Sequence, residues 1–350
     1  WPERPEGGTA PMELNTFPYC VNSIGIFSFL ITNYTGVSSS RTFSIIFIPF
    51  PLPLSYFIRI RLWEAFDFTK RFPATYCTFT GPAAVLCGRA VSIFPEVVVK
   101  VLVINCGSSS VKYQLMDTTT ESVLAKGIVE RIGFEDAKFT HVPGGGPKQV
   151  KTLPVKNHDI AMKHVLASLV GGGGVLASLA EIGAVGHRFV NGGPEFIEPV
   201  VVTKVVLEKL RNILDIAPLH NPAHMLGIEA CIAEMPDTPQ VIVFDTGFHA
   251  RVPEKAFMYA LPRRYYEQYG IRRYGFHGTS HYFVSHRAAE IVGHPVEDLR
   301  IITCHLGNGC SIDAVKDGWA VDTSMGFTPL EGLMVGTRTG DMDIAAALTS

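Results

Sequence analysis

The spacing of apolar and polar positions changes repeatedly along this chain, and each change marks an element. Residues 101–104 are continuously apolar and predict a short buried strand. A small, polar turn follows over 105–110. Val111, Tyr113 and Leu115 then alternate with Lys112, Gln114 and Met116, predicting a returning strand. Residues 122–133 continue as a strand with a turn, and a glycine turn lies at 143–147. Helical spacing marks 158–169, ahead of a flexible loop at 171–174. A strand is expected to end at 184–186, with His187 and Arg188 where it gives way to a glycine turn. The Pro-bounded segment 217–224 leads into a helix over 225–233, a buried strand at 240–244 ends in Asp245, and a further helix occupies 282–292. Residues 300–315 repeat the design of 101–117: buried strand, turn of small residues, alternating strand. The last stretch, 325–343, is rich in turns and places Arg338 between Gly336 and Gly340. The pentapeptide VLASL occurs twice, at 165–169 and 175–179, which is too short to indicate a repeat fold.

Residues 1–98 differ in character. They are rich in Phe and Pro, contain no acidic residue between Glu13 and Glu64, and carry no helical or strand period that persists. The apolar run at 45–58 is interrupted by Pro49, Pro51 and Pro53 and is shorter than a membrane-spanning helix requires. No basic region or small-residue cleavage site marks a signal peptide. The expectation is a translated upstream region, non-homologous or disordered, with the working protein starting at Val99. A Phe-rich targeting or membrane extension is the alternative, and the intact mass of the native protein decides between them.

Composition narrows the class. A net charge of −2 and a pI near 6.7 point to neither nucleic acid nor an anionic membrane surface as a partner. Seven cysteines with no CxxC are reduced-thiol usage, as expected in cytoplasm. Thirty-three glycines and alternating strand and helix patterns favour an α/β fold.

The turn at 105–110 suits a phosphate. Small residues let backbone N–H groups approach an anion, Ser108 and Ser110 supply hydroxyls, and Lys112 adds charge. An ordinary polar hairpin reads equally well from the same residues. No GxxxxGK[ST] occurs, and no GxGxxG follows a strand. Arg188 at a strand end is a candidate anion clamp, with a surface salt bridge as its plain alternative. Asp245 at a strand end is placed either to hold Mg²⁺ through water or to cap its strand. His220 and His224, like His277 and His281, stand four apart, but neither pair has the Glu of HExxH, so zinc is not expected.

Seven blocks in one order resemble the acetokinase family of the acetate and sugar kinase/Hsp70/actin superfamily: VINCGSSSVKYQL, GHR, APLHNP, VFDT, YGFHGTSH, HLGNG and LMVGTRTGD. The resemblance covers 99–350. It implies a duplicated, ribonuclease H-like two-domain α/β fold, with domain I over 99–247 and an incomplete domain II from 248. It implies reversible phosphoryl transfer from ATP to acetate by in-line attack, with Mg²⁺ or Mn²⁺, in a cytoplasmic homodimer. Arg188, Asp245, His277 and Arg338 would be catalytic, with Arg188 also holding acetate. Val190, Leu219, Phe276 and Pro329 would line the acetate pocket. Lys112, Ser108, Ser110, His220, His305, Leu306, Gly307, Asn308 and Gly309 would hold the nucleotide and phosphates, and Asn105 the metal. Asn191 stands where the family usually has His, and Cys106 where it has a small residue. The family's C-terminal portion, with an adenosine-binding loop and an acidic Mg²⁺ residue, does not lie in this sequence. Propionate or butyrate kinase activity, or an inactive ATP-binding fragment, is therefore kept as an alternative.

Overall fold

The computed structural model describes residues 27–33, 43–49, 100–171 and 174–348. These form two sheets. The larger has eight strands. β3 (Lys100–Gly107), β4 (Ser110–Asp117), β5 (Ser122–Glu130), β6 (Ala137–Pro143) and β7 (Gln149–Leu153) run as an antiparallel meander. On its other edge β3 pairs in parallel with β8 (Ile182–Phe189), which pairs in parallel with β10 (Gln240–Phe244). The two-residue β9 (Val200–Val201) closes that side.

Four helices of eight or more residues are described: α1 (His158–Val170), α2 (Lys204–Arg211), α3 (Asn221–Glu234) and α4 (Gly278–Val292). Asn157 caps α1, its Oδ1 accepting from the Ile160 N–H at 2.9 Å. Ala161, Met162, Val165, Leu166 and Leu169 then fall on one face and pack into a core with Leu102, Val111, Leu115 and Ala125 of the sheet. α3 has Pro222 in its first turn, where the missing N–H costs no hydrogen bond. It lies so close to β3 that a Cβ on Gly227 would stand 2.1 Å from Cys106 Sγ. Cys106 is thus a packing residue, and burial pushes its thiol up to about 12.

The second sheet has the order β13-β12-β11-β1-β2, built from β11 (Arg300–Leu306), β12 (Cys310–Lys316), β13 (Trp319–Thr323), β1 (Phe27–Asn33) and β2 (Phe43–Pro49). β11 and β12 repeat the hairpin of β3 and β4, as the sequence pattern predicts. The partner on the far edge differs. β3 is flanked by a parallel strand, whereas β11 is flanked by antiparallel β1.

Several expectations need correction. Residues 1–98 supply two strands although no strand period persists there. Each run has consecutive apolar residues at its centre, 29–31 and 45–48, and such runs lack the alternation by which half-buried strands are recognised. The other residues before Lys100 lie outside the described ones, as do Gly172 and Gly173 of the 171–174 loop. β8 does not end before Arg188 but runs through it to Phe189, because β10 continues the ladder alongside, with Val243 opposite Arg188. α3 and α4 each begin four residues before their expected starts, since Pro222 and the small Gly278-Thr279-Ser280 run fit a first helical turn. β6, β7, β9, β13 and α2 were not read from the sequence at all.

Candidate active site

The parallel strands β3, β8 and β10 lie side by side, and Asn105, Arg188 and Asp245 come together near their carboxyl ends. Asp245 is 3% exposed. Its Oδ2 accepts from Arg188 Nε at 3.0 Å and Nη2 at 2.5 Å, while Arg188 Nη1 reaches Asn105 Oδ1 at 3.4 Å. Burial works against the Arg188 charge, but the Asp245 carboxylate outweighs it and raises the guanidinium pKa. The arginine is therefore a fixed cation, held at the mouth of the sheet by a carboxylate behind it. Across the hairpin, Lys112 stands opposite Asn105. Ser108 and Ser109 form the two-residue turn, which is tied down by His158 Nε2 on the Gly107 carbonyl at 2.8 Å and by Ile132 N–H on the Ser109 carbonyl at 3.0 Å.

The second hairpin brings His305, Leu306, Gly307, Asn308 and Gly309 to the facing side. His277 precedes α4 with φ 60°, a left-handed conformation that non-glycine residues hold only where the surroundings enforce it. Its ring stacks on His305 at 4.0 Å between centroids. A Cβ on Gly309 would sit 3.4 Å from its Nε2, so glycine there gives the imidazole room against the loop. Burial holds His277 well below the ordinary histidine value, reinforced by His305 and Arg188, and His277 is neutral. His305 is pushed down to about 4, chiefly by burial. His220 is lowered by burial and then by the charges of Arg188 and Arg338, which places both arginines within its electrostatic reach.

Arg338 sits on the 325–343 segment, which packs on the second hairpin through Gly336 N–H to the Asn308 carbonyl at 3.2 Å. Arg338 Nη1 donates to the Pro329 carbonyl at 3.0 Å. The segment is anchored by Glu331, whose carboxylate accepts from Arg273 Nη2 and Tyr259 Oη, each at 2.5 Å. Of the expected pocket residues, Val190 and Phe276 pack together in one buried cluster with Tyr274 and Met325. Leu219 is 78% exposed and stands outside that cluster, and Pro329 is half-buried.

The paired histidines have separate roles. His224 Nδ1 bonds the Arg188 carbonyl at 2.6 Å and supports that strand end. His281 lies in a buried network with Ser311 and Thr303. Asn191 is buried, where its Oδ1 accepts from the Gly193 N–H and its backbone clasps the Asn221 amide. Sequence reasoning missed the roles of Ser311, Asp313, Arg273 and Glu331. The alternation of Thr303 with His305, and of Ser311 with Asp313, marks polar residues on one strand face and was the available signal.

Asn105 and Asp245 fit a hard cation. Both hydrogen bonds from Arg188 to Asp245 fall on Oδ2, which leaves Oδ1 as an oxygen donor for a cation, while the Asn105 amide oxygen meets the same guanidinium. So sparse a set suits Mg²⁺, which keeps several waters and takes its other ligands from substrate phosphates. Among the described residues no group of three or more His, Cys, Asp or Glu could hold a metal by itself, and no helix is long and apolar enough to cross a membrane.

The model of the Acetokinase family matches residues 100–349. The acetate kinase of Dictyoglomus turgidum is 57% identical over 247 residues, covering 70% of this chain and 61% of the relative. Acetate kinase 2 of Clostridium perfringens is 56% identical over 246 residues, covering 70% of this chain and 62% of the relative. The crystal structure of Porphyromonas gingivalis acetate kinase superposes with a TM-score of 0.69 at 46% identity, covering 72% of this chain and 63% of that one. A propionate kinase from Francisella tularensis gives 0.65 at 40% identity, with the same coverage. The chain thus spans a little over three-fifths of the length of these relatives. With the family model matched over more than half of its length and a relative 57% identical to it, the chain belongs to the acetokinase family.

Proposed function

We propose that this chain carries the acetate-binding and phosphate-binding part of an ATP:acetate phosphotransferase, which makes acetyl phosphate and ADP reversibly. The observation that best supports the reading is the Arg188 guanidinium held by Asp245 at the strand ends, with Arg188 and Arg338 both lowering the pKa of His220. Acetate is already ionised at neutral pH, so no base is needed to make it a nucleophile. The obstacle is its repulsion from a triphosphate, of the order of several kcal/mol at contact in a partly dry site. Arg188 would hold the carboxylate and Arg338 the transferring phosphoryl group. Each guanidinium stays charged and binds oxyanions in a fork.

Charge in the loose transition state spreads over the equatorial oxygens, so positioned donors matter most. His277 would donate to one of these oxygens from its neutral form. The Gly307–Gly309 turn, with Asn308 and His305, and the Ser108–Ser110 turn with Lys112 would hold phosphates, and His220 would help place them. Asn105 and Asp245 would hold Mg²⁺ or Mn²⁺, which when bound offsets phosphate charge. Val190, Phe276, Leu219 and Pro329 would bound the methyl pocket. One further methylene costs such a pocket only about 1–3 kcal/mol, so propionate would be a slower alternative substrate.

Cytoplasmic location and a homodimer belong to the same proposal, as does a division into domains near residue 247. The test is trapping acetyl phosphate as a hydroxamate with the full-length gene product. Comparing kcat/KM for acetate, propionate and butyrate then settles the acyl group. ATP hydrolysis without a trapped product would overturn the reading, and a preference for butyrate would overturn the acetate assignment.

A further inference from the structure

Behind His277 lies a buried polar network that the proposed chemistry does not itself use. His277 Nδ1 is 2.8 Å from Ser311 Oγ. The same hydroxyl is 2.7 Å from His281 Nε2, and His281 Nδ1 is 2.7 Å from Thr303 Oγ1. His281 Nε2 also lies 3.4 Å from Oδ1 of Asp313, whose Oδ2 meets His249 Nε2 at 2.6 Å. Ser311 and Asp313 are wholly buried, and His249, His281 and Thr303 are 1% exposed. The arrangement follows from two periodicities. Ser311 and Asp313 alternate onto one face of β12, with His305 and Thr303 opposite them on β11. His277 and His281 stand four apart at the start of α4 and face that sheet.

We infer that Ser311 and His281, anchored by the Asp313 carboxylate, are positioning residues that hold His277 in the tautomer carrying its proton on Nε2. The inference rests on the reading of His277 as a donor to the transferring phosphoryl group. The protons can be assigned in sequence from the anchor. Burial works against the Asp313 charge, but the contact of its Oδ2 with His249 Nε2 outweighs it and leaves the carboxyl below the usual value, so it is an acceptor only. An unprotonated His281 Nε2 would aim a lone pair at that carboxylate; Nε2 therefore bears the hydrogen. Neutral His281 then accepts from the Thr303 hydroxyl at Nδ1 and donates from Nε2 to Ser311 Oγ. Ser311 Oγ, having accepted, directs its own hydrogen to His277 Nδ1. The one proton of neutral His277 is left on Nε2, the nitrogen beside Gly309 in the proposed phosphate-binding turn. Without this chain of donors the imidazole could place its proton on Nδ1 and turn an acceptor lone pair toward an anionic phosphoryl group.

The test is two-bond ¹H–¹⁵N correlation of ¹⁵N-histidine-labelled chain at neutral pH, with His277 assigned by its loss in His277→Gln. The expected wild-type pattern is an acceptor-type Nδ1 and an N–H-type Nε2. In Ser311→Ala the two nitrogen shifts should move toward each other as the tautomers mix, while backbone amide shifts across β11 and β12 stay in place. Ser311→Cys, which keeps a small buried side chain with a weaker donor, is read in the same way if the alanine variant does not fold. A wild-type His277 protonated at Nδ1, or a tautomer pattern unchanged by either variant, would overturn the inference. The measurement needs no turnover, so failure to form acetyl phosphate would count against the proposed function and not against this network.

Discussion

Gly227→Ala isolates the contact that seats helix α3 on the first hairpin, β3–β4. Gly227 is in the middle of α3, where alanine would by itself favour the helix by about 1 kcal/mol. The added Cβ, however, would stand 2.1 Å from Cys106 Sγ and 3.0 Å from Cys106 Cβ. Cys106 is 2% exposed, and its thiol, raised to about 12, stays protonated, so the conflict is steric. Overpacking of this kind costs about 1–3 kcal/mol. Set against the helix gain, the net loss is about 0–2 kcal/mol in the wild-type background. Removing the sulfur with Cys106→Ala leaves only the 3.0 Å contact, and Gly227→Ala should then become neutral or stabilising. The coupling between the two substitutions is therefore about 1–3 kcal/mol. Hydrogen exchange of the β3 amides reads it directly, since about 1.4 kcal/mol is a tenfold change in protection. Equal effects of Gly227→Ala in both backgrounds would refute the packing argument. The outcome bears on function, because Asn105 adjoins Cys106 and already meets Arg188 at the long distance of 3.4 Å.

Arg188→Ala should abolish hydroxamate-trappable product while sparing nucleotide binding. It should also cost about 3–5 kcal/mol by leaving Asp245 buried and alone. Adding Asp245→Ala should recover much of that stability without activity, as followed by urea unfolding. Glu331→Ala removes the acceptor shared by Arg273 and Tyr259 and should lower kcat at least tenfold by freeing the Arg338 segment, with little change in Tm. Acid should destabilise the fold early. His187 and His305 titrate near 4 and His281 near 3 in the folded chain, each lowered mainly by burial, against about 6.5 when unfolded. Below about pH 6.5 the unfolded chain takes up protons the folded one refuses, so each histidine lowers stability by up to about 1.4 kcal/mol per pH unit until its folded pKa is reached. Tm measured from about pH 7 to about pH 4.5 should fall steadily, and a flat profile would refute this account.

Much of the site was legible in the sequence because its residues sit in short, ordered blocks. The paired hairpins could be read from apolar runs, small-residue turns and alternation, and Arg188, Asp245 and His277 from their places at element boundaries. The reading was weaker where a residue's role depends on distant partners. Leu219 follows its block in sequence, yet it is largely exposed and apart from the cluster that Val190 and Phe276 form. Arg273 and Glu331 are 58 positions apart, and nothing in either local stretch announces that they meet.

The sequence by itself determined the family, the two strand–turn–strand hairpins and the identity of the charged groups. These depend on local composition and spacing, which the chain carries wherever it folds. Only the tertiary structure decided which groups are paired. It set Arg188 against Asp245, placed β1 beside β11 with β2 beyond it, and stacked His277 on His305. It also buried Asp313 behind Ser311, because the strand faces on which these residues alternate become neighbours only when α4 closes over β11 and β12.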